Sequence, residues 1–139
     1  MKFDVALKEG VEIAGKQYRE TFGNRPVFIA ASTHAGEEEL VLLGFKQNLE
    51  QQPDALLILV PRHPERFSTV AELLAQQKYT VVKRSSRFSV APGTQVLLGD
   101  TMGELALFYA AADVAFVGGS LVPVGGHNAL EPAALSVPV

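Results

Sequence analysis

The sequence predicts an α/β domain built on a parallel, Rossmann-like sheet with helices on both faces. Short apolar runs recur at Val27–Ala31, Leu56–Val60, Tyr79–Lys83, Gln95–Leu98 and Asp113–Val117. Apart from Thr80, Lys83, Gln95 and Asp113, these runs are apolar rather than alternating, the pattern of strands covered on both sides. Segments of helical character separate most of them, which is the β-α-β alternation of a doubly wound sheet.

In chain order, residues 1–25 are polar and weakly patterned. They read as an entry segment or linker, closed by a turn at Gly23-Asn24-Arg25-Pro26. After the first strand, Gly36 to Gln52 carries Leu40, Leu43 and Leu49 near helical spacing. Its acidic start, Glu37, Glu38 and Glu39, suits a helix N-terminus. Pro64–Gln77 reads as a second helix, with Pro64 at its first position and His63 as its cap. Ser85–Pro92, between strands three and four, is polar and irregular. Met102–Ala112 reads as a third helix, Gly118 to Gly126 as a loop, and Ala129–Leu135 as helical. Val137-Pro138-Val139 looks like the entry to one more strand, so residues 26–139 are expected to be an incomplete domain.

Composition narrows the function classes. A chain of 139 residues, 47% apolar, fits one domain with a real core. The formal net charge of -3 argues against nucleic-acid binding by bulk charge. There is no cysteine, which excludes disulfides and Cys-based zinc sites. His34, His63 and His127 lie far apart and form no tight metal-ligand motif. The longest apolar runs are much shorter than the roughly 20 residues of a membrane helix, and Met1-Lys2-Phe3-Asp4 opens no signal-peptide pattern. A soluble, cytoplasmic piece is the expectation. No Walker or GxGxxG fingerprint is present.

The chemistry-bearing residues follow the strands, where open parallel sheets place ligands. Ser32-Thr33-His34 either satisfies backbone groups before a helix or touches a ligand. Pro61-Arg62-His63-Pro64 is either a rigid surface loop or a phosphate contact through the planar donor fork of Arg62. Thr101-Met102-Gly103-Glu104 fits a Thr-x-x-Glu capping box. Gly103 is out of place in a first helical turn. There it would let a ligand approach the backbone, with the turn's amides favouring an anion. Gly125-Gly126-His127-Asn128-Ala129-Leu130-Glu131 has the look of a ligand loop, although Asn128 and Glu131 are also spaced as a cap. Pro132 would distort that turn.

At these residues the chain resembles the 3-deoxy-D-manno-octulosonic acid (Kdo) transferases of Gram-negative bacteria. The resemblance rests on Asp113 to Leu121 with Gly125 to Ala134, on Ile29 to His34 with Gly36-Glu37-Glu38, on Leu59 to Phe67, and on Leu98 to Leu105. It implies the C-terminal, donor-binding half of a GT-B glycosyltransferase, truncated at its end. It further implies transfer of Kdo from CMP-Kdo to a lipid A precursor at the cytoplasmic face of the inner membrane. The catalytic carboxylate and the membrane-associating segment would then belong to a missing N-terminal domain, and no cofactor or metal is expected. By motif, Pro61, Arg62, Met102, Gly103, Glu104, Asn128, Ala129, Leu130 and Glu131 would contact CMP. Ser32, Thr33, His34, Gly126 and His127 are further candidates. Arg62 would offset phosphate charge, and Glu131 would accept hydrogen bonds from the ribose. Ala129 stands where the family's form of this turn has proline; alanine fits the same turn with less rigidity.

Two other readings remain open at this level. Another GT-B enzyme, a UDP- or GDP-sugar transferase or an epimerase, would share the glycine-rich strand-end loops. A non-catalytic nucleotide-binding module is allowed by the fold alone.

Overall fold

The computed structural model describes residues 10, 13–33, 36–117 and 120–123, with backbone alone at 32, 117 and 120–123. Six strands form one sheet: β1 (Val27–Thr33), β2 (Leu56–Pro61), β3 (Val81–Lys83), β4 (Val96–Leu98), β5 (Val114–Val117) and β6 (Ser120–Pro123). The spatial order is β3-β4-β2-β1-β5-β6. The first five pair in parallel, as the uninterrupted apolar runs predict. β6 is antiparallel to β5, with Val117 opposite Ser120. The segment read as a Gly118–Gly126 loop therefore contains a strand, Ser120–Pro123.

Helices cover both faces. Residues 13–20 are helical (α1), followed by α2 (Glu37–Leu49), α3 (Phe67–Gln76) and α4 (Leu105–Ala111). On one face Ile29, Leu56, Ile58, Val60, Leu97 and Ala115 pack with Phe22, Phe108 and Tyr18. On the other, Phe28, Ala30, Leu57, Leu59 and Leu98 pack with Leu42, Phe45, Val70 and Leu74. Neighbours along each strand thus feed opposite cores, the period-two consequence of the pleat. The expected helix from Pro64 becomes a 3-10 turn, Pro64–Arg66, running into α3, with His63 in the cap position. α2 buries Glu38, Leu42 and Phe45, while Leu40 and Leu43 are 71% and 57% exposed. The spacing of Leu40, Leu43 and Leu49 mistakes a solvent-facing pair for the core stripe.

The first 25 residues carry more structure than their polar composition indicates. Phe22 and Arg25 are buried, at 4% and 6% exposure. Arg25 donates to the carbonyls of Asp54 (2.6 Å), Ala91 (3.1 Å), Ala55 and Thr94. Arg19 reaches Asp113 Oδ1 at 2.6 Å, and the other oxygen of that carboxylate accepts from the Val27 amide at 3.0 Å. α1 is thereby tied to the start of β1 and to the loop before β5. A helix held by salt links and a few large residues has no strong apolar period to show in sequence.

α1 crosses α4 closely at Gly15: a Cβ there would lie 2.2 Å from the Ala110 Cβ and 3.0 Å from its carbonyl carbon. Helix propensity alone would make Gly15→Ala stabilising by about 1 kcal/mol. The contact reverses that sign, and the expected outcome is a loss of about 1–3 kcal/mol. Urea unfolding of the two proteins measures it; a variant as stable as the native chain or more so would contradict the helix crossing.

Candidate functional site

Parallel pairing brings the carboxyl ends of the strands to one edge. Thr33 lies opposite Pro61, and both Leu59 and Lys83 pair with Leu98. The loops holding Pro61-Arg62, Arg84-Ser85 and Asp100 to Glu104 are therefore neighbours, as the sequence reading requires of Pro61, Arg62, Met102, Gly103 and Glu104. Asn128, Ala129, Leu130, Glu131, Gly126, His127 and His34 lie outside the described residues, as do the Ala129–Leu135 helix and the final strand read from the sequence. Ser32 is placed in β1 by its backbone.

The loops after β1 and β2 interlock. β1 shifts register between Ala31 and Thr33, and the Arg62 amide donates to the Thr33 carbonyl at 3.0 Å. The Thr33 hydroxyl donates to Glu38 Oε2 at 2.7 Å, and Arg66 Nη1 lies 3.0 Å and 3.2 Å from the two oxygens of Glu38. Glu38 is 1% exposed, so an acidic residue of the first turn of α2 serves as a buried anchor rather than a dipole partner. The Thr33 hydroxyl does not satisfy backbone groups ahead of α2: it bonds a side-chain carboxylate. The cap position of α2 belongs to Gly36, at φ 92°. Between these anchors the Arg62 side chain is exposed, with no hydrogen-bond partner among the described residues. Of the loop's two arginines, Arg66 is committed to Glu38 and Arg62 is available to an anion.

The loops after β3 and β4 interlock as well. Asp100 accepts from the Ser85 amide at 2.8 Å and from its hydroxyl at 2.7 Å. Arg84 grips Glu104 through Nε at 3.0 Å and Nη2 at 2.9 Å, while Thr101 donates to the same carboxylate at 2.6 Å. The guanidinium also lies 4.7 Å from the centroid of the Tyr18 ring of α1. This corrects the capping-box reading. α4 starts at Leu105 rather than Met102, and no side chain caps it. Gly103 precedes the helix at φ 81°, a conformation that only glycine adopts without strain. Met102 beside it is 69% exposed. The amides read as an anion-binding first turn belong instead to an extra-helical turn whose two flanking carboxylates hold it to the β3 loop. Arg84 and Tyr18 escaped the sequence reading. Arg84 had a signal, a basic residue just past a strand's carboxyl end; Tyr18 had none in a segment without pattern.

The Arg84 hydrogen bonds hold the Glu104 carboxyl at about 2, against an ordinary 4.5, with the Thr101 bond and Arg84 charge helping and burial opposing. Because the folded value is the lower one, this stabilisation is complete above pH 4.5 and is lost as pH falls from 4.5 towards 2. Glu104→Gln should flatten that acid limb of stability. The native chain's advantage above it should be on the order of 1–2 kcal/mol after allowance for solvent screening. Denaturant unfolding between these two pH values reads the difference; parallel acid limbs would contradict it.

No family model matches the chain. It is 54% identical over 116 residues to the 3-deoxy-D-manno-octulosonic acid transferase of Haemophilus influenzae, covering 84% of this chain and 27% of that protein. It is 41% identical over 143 residues to the transferase of the same name from Bordetella pertussis, covering 100% of this chain and 33% of the relative. The chain thus spans about a quarter to a third of the curated relatives it matches. The solved C-terminal CMP-Kdo binding domain of WaaA from Acinetobacter baumannii matches with a TM-score of 0.69 and 42% identity. That match takes in 94% of this chain and 67% of the solved one. Alike in sequence and fold over this span, the chain belongs to the 3-deoxy-D-manno-octulosonic acid (Kdo) transferase family.

Proposed function

We propose that this chain binds the donor CMP-Kdo within a GT-B glycosyltransferase that moves Kdo onto a lipid A precursor in lipopolysaccharide assembly. The single observation that best supports it is Arg62, an uncommitted guanidinium at the strand-end edge of a domain 42% identical to a CMP-Kdo binding domain. The donor-binding unit runs from residue 26 onward, with α1 as its supporting strut. Arg62 takes the donor phosphate, and Pro61 fixes the path of the chain into it. The Met102–Gly103 backbone approaches the nucleotide beside Glu104. Asn128, Ala129, Leu130 and Glu131 complete the site, with Glu131 on the ribose hydroxyls. Ser32, Thr33, His34, Gly126 and His127 form its outer contacts.

In the reaction an acceptor hydroxyl forms a bond to the anomeric carbon of Kdo. The bond from that carbon to the phosphate oxygen breaks, and its electron pair leaves with CMP. The phosphate gains negative charge as this happens. A cation at Arg62 therefore binds the departing group more strongly in the transition state than in the bound donor, the difference that accelerates a reaction. The hydroxyl's proton goes to a carboxylate supplied by the rest of the transferase. That part also meets the lipid acceptor at the cytoplasmic face of the inner membrane. Among the described residues no helix is long and apolar enough to cross a membrane.

CMP titrated into the chain should move the amide NMR signals of Arg62 and Gly103, with smaller shifts for UMP. Arg62→Ala should weaken CMP by about 1–3 kcal/mol, the worth of charge-assisted hydrogen bonds. Saturable shifts confined to another face of the sheet would overturn the placement. Incubated with CMP-Kdo and lipid A precursor, the chain alone should transfer no Kdo, because half a cleft cannot orient an acceptor. Transfer of Kdo to lipid by the purified chain would refute that division of labour.

A further inference from the structure

Glu104 matches a motif position expected to touch the nucleotide, yet both oxygens of its carboxylate are already engaged within the protein. Oε1 accepts from Arg84 Nε at 3.0 Å and from Thr101 Oγ1 at 2.6 Å, and Oε2 accepts from Arg84 Nη2 at 2.9 Å. Asp100, at the other end of the same turn, is spent on the Ser85 amide and hydroxyl. The turn is thus pinned to the β3 loop at both ends, and what lies between is presented outward. Met102 is exposed, and a Cβ placed at Gly103 would meet nothing within 4 Å. The glycine is required by its φ of 81° rather than by crowding within the protein. Gly103 is itself exposed.

From this we infer that Arg84 is a positioning residue for the nucleotide: it sets the Met102–Gly103 turn through Glu104 and cancels a carboxylate charge that would repel an anionic ligand. The inference rests on the donor reading proposed above. A planar guanidinium fixes a carboxylate in two places at once, so it defines the orientation of Glu104 as well as its distance. The guanidinium lies over the Tyr18 ring, 4.7 Å from its centroid, so α1 contributes to the support of the turn. Without Arg84 the turn would lose its anchor, and Glu104 would stand as an unpaired anion beside the phosphate.

The test is the affinity of the chain for CMP and for uncharged cytidine, followed by amide NMR, in Arg84→Met, Glu104→Gln and the double variant. Arg84→Met should weaken CMP by about tenfold, the cost of a lost charge-assisted interaction, and weaken cytidine less. The double variant should bind CMP more tightly than Arg84→Met, because removing Glu104 removes the exposed charge. A purely structural role predicts the opposite, a second loss added to the first. Arg84→Lys keeps the charge without the planar fork. It should leave the fold intact, bind CMP with intermediate affinity, and shift the ligand-free Gly103 amide without moving that of Arg62. Native CMP affinity in Arg84→Met would overturn the inference, as would a double variant no better than the single one. If the native chain itself fails to bind CMP, the donor reading falls. The Gly103 amide of Arg84→Lys then still decides whether Arg84 sets the turn: an unchanged signal sinks that part as well.

Discussion

In the register that sets Val27 against Leu56 and Ala31 against Val60, two strands buried on both faces run side by side in the same direction. Everything else is arranged around this pairing. A slip of β1 by one residue would exchange its two sides, moving Ile29 to the face of α2 and α3 and Phe28 to the face of α1 and α4. The different packing partners on the two faces therefore lock the register. The parallel sense fixes the polarity of β1 to β5, so the chain leaves β1 to β4 on one edge. Chemistry gathered from distant parts of the sequence meets there without any one loop being long.

The two ends of the sheet are held by different kinds of interaction. At the amino ends, Arg19, Arg25 and Asp113 join α1 to the first residues of β1 and to the turn before β5. At the carboxyl ends, acidic side chains bridge successive loops: Glu38 connects the loops after β1 and β2, and Glu104 with Asp100 connects those after β3 and β4. Each bridge consumes a charge that composition alone would assign to solvent. A guanidinium left over, as at Arg62, stands out only after the others have been paired.

Much of this was legible from residues. The parallel sheet could be read because β2 is apolar from Leu56 to Pro61 and buried along its whole length. The strand-end loops could be located because turn-forming and charged residues follow each run. What was hidden depends on tertiary contact. α1 lacks an apolar stripe because it is fastened by Arg19 and by a close approach at Gly15. α4 starts late because Gly103 takes a positive φ and Arg84 claims Glu104, a partner twenty positions away in sequence. The Thr-x-x-Glu pattern at 101–104 is real, but its two side chains bond each other rather than the helix backbone. No spacing rule distinguishes these outcomes, since both require a hydroxyl and a carboxylate three positions apart.

Arg25 satisfies its guanidinium with the carbonyls of Asp54, Ala55, Ala91 and Thr94, and with none of their side chains. A backbone carbonyl is offered by every amino acid. The clasp therefore places its chemical requirement on one position while leaving the identity of its acceptors open. Sequence drift in the turns around 54 and 91 can proceed without loosening it, so long as the chain keeps its path. A change at 25 itself would remove a donor from four carbonyls at once. The molecule thus concentrates the mutational sensitivity of three separate segments in a single arginine of a stretch that composition alone marks as dispensable.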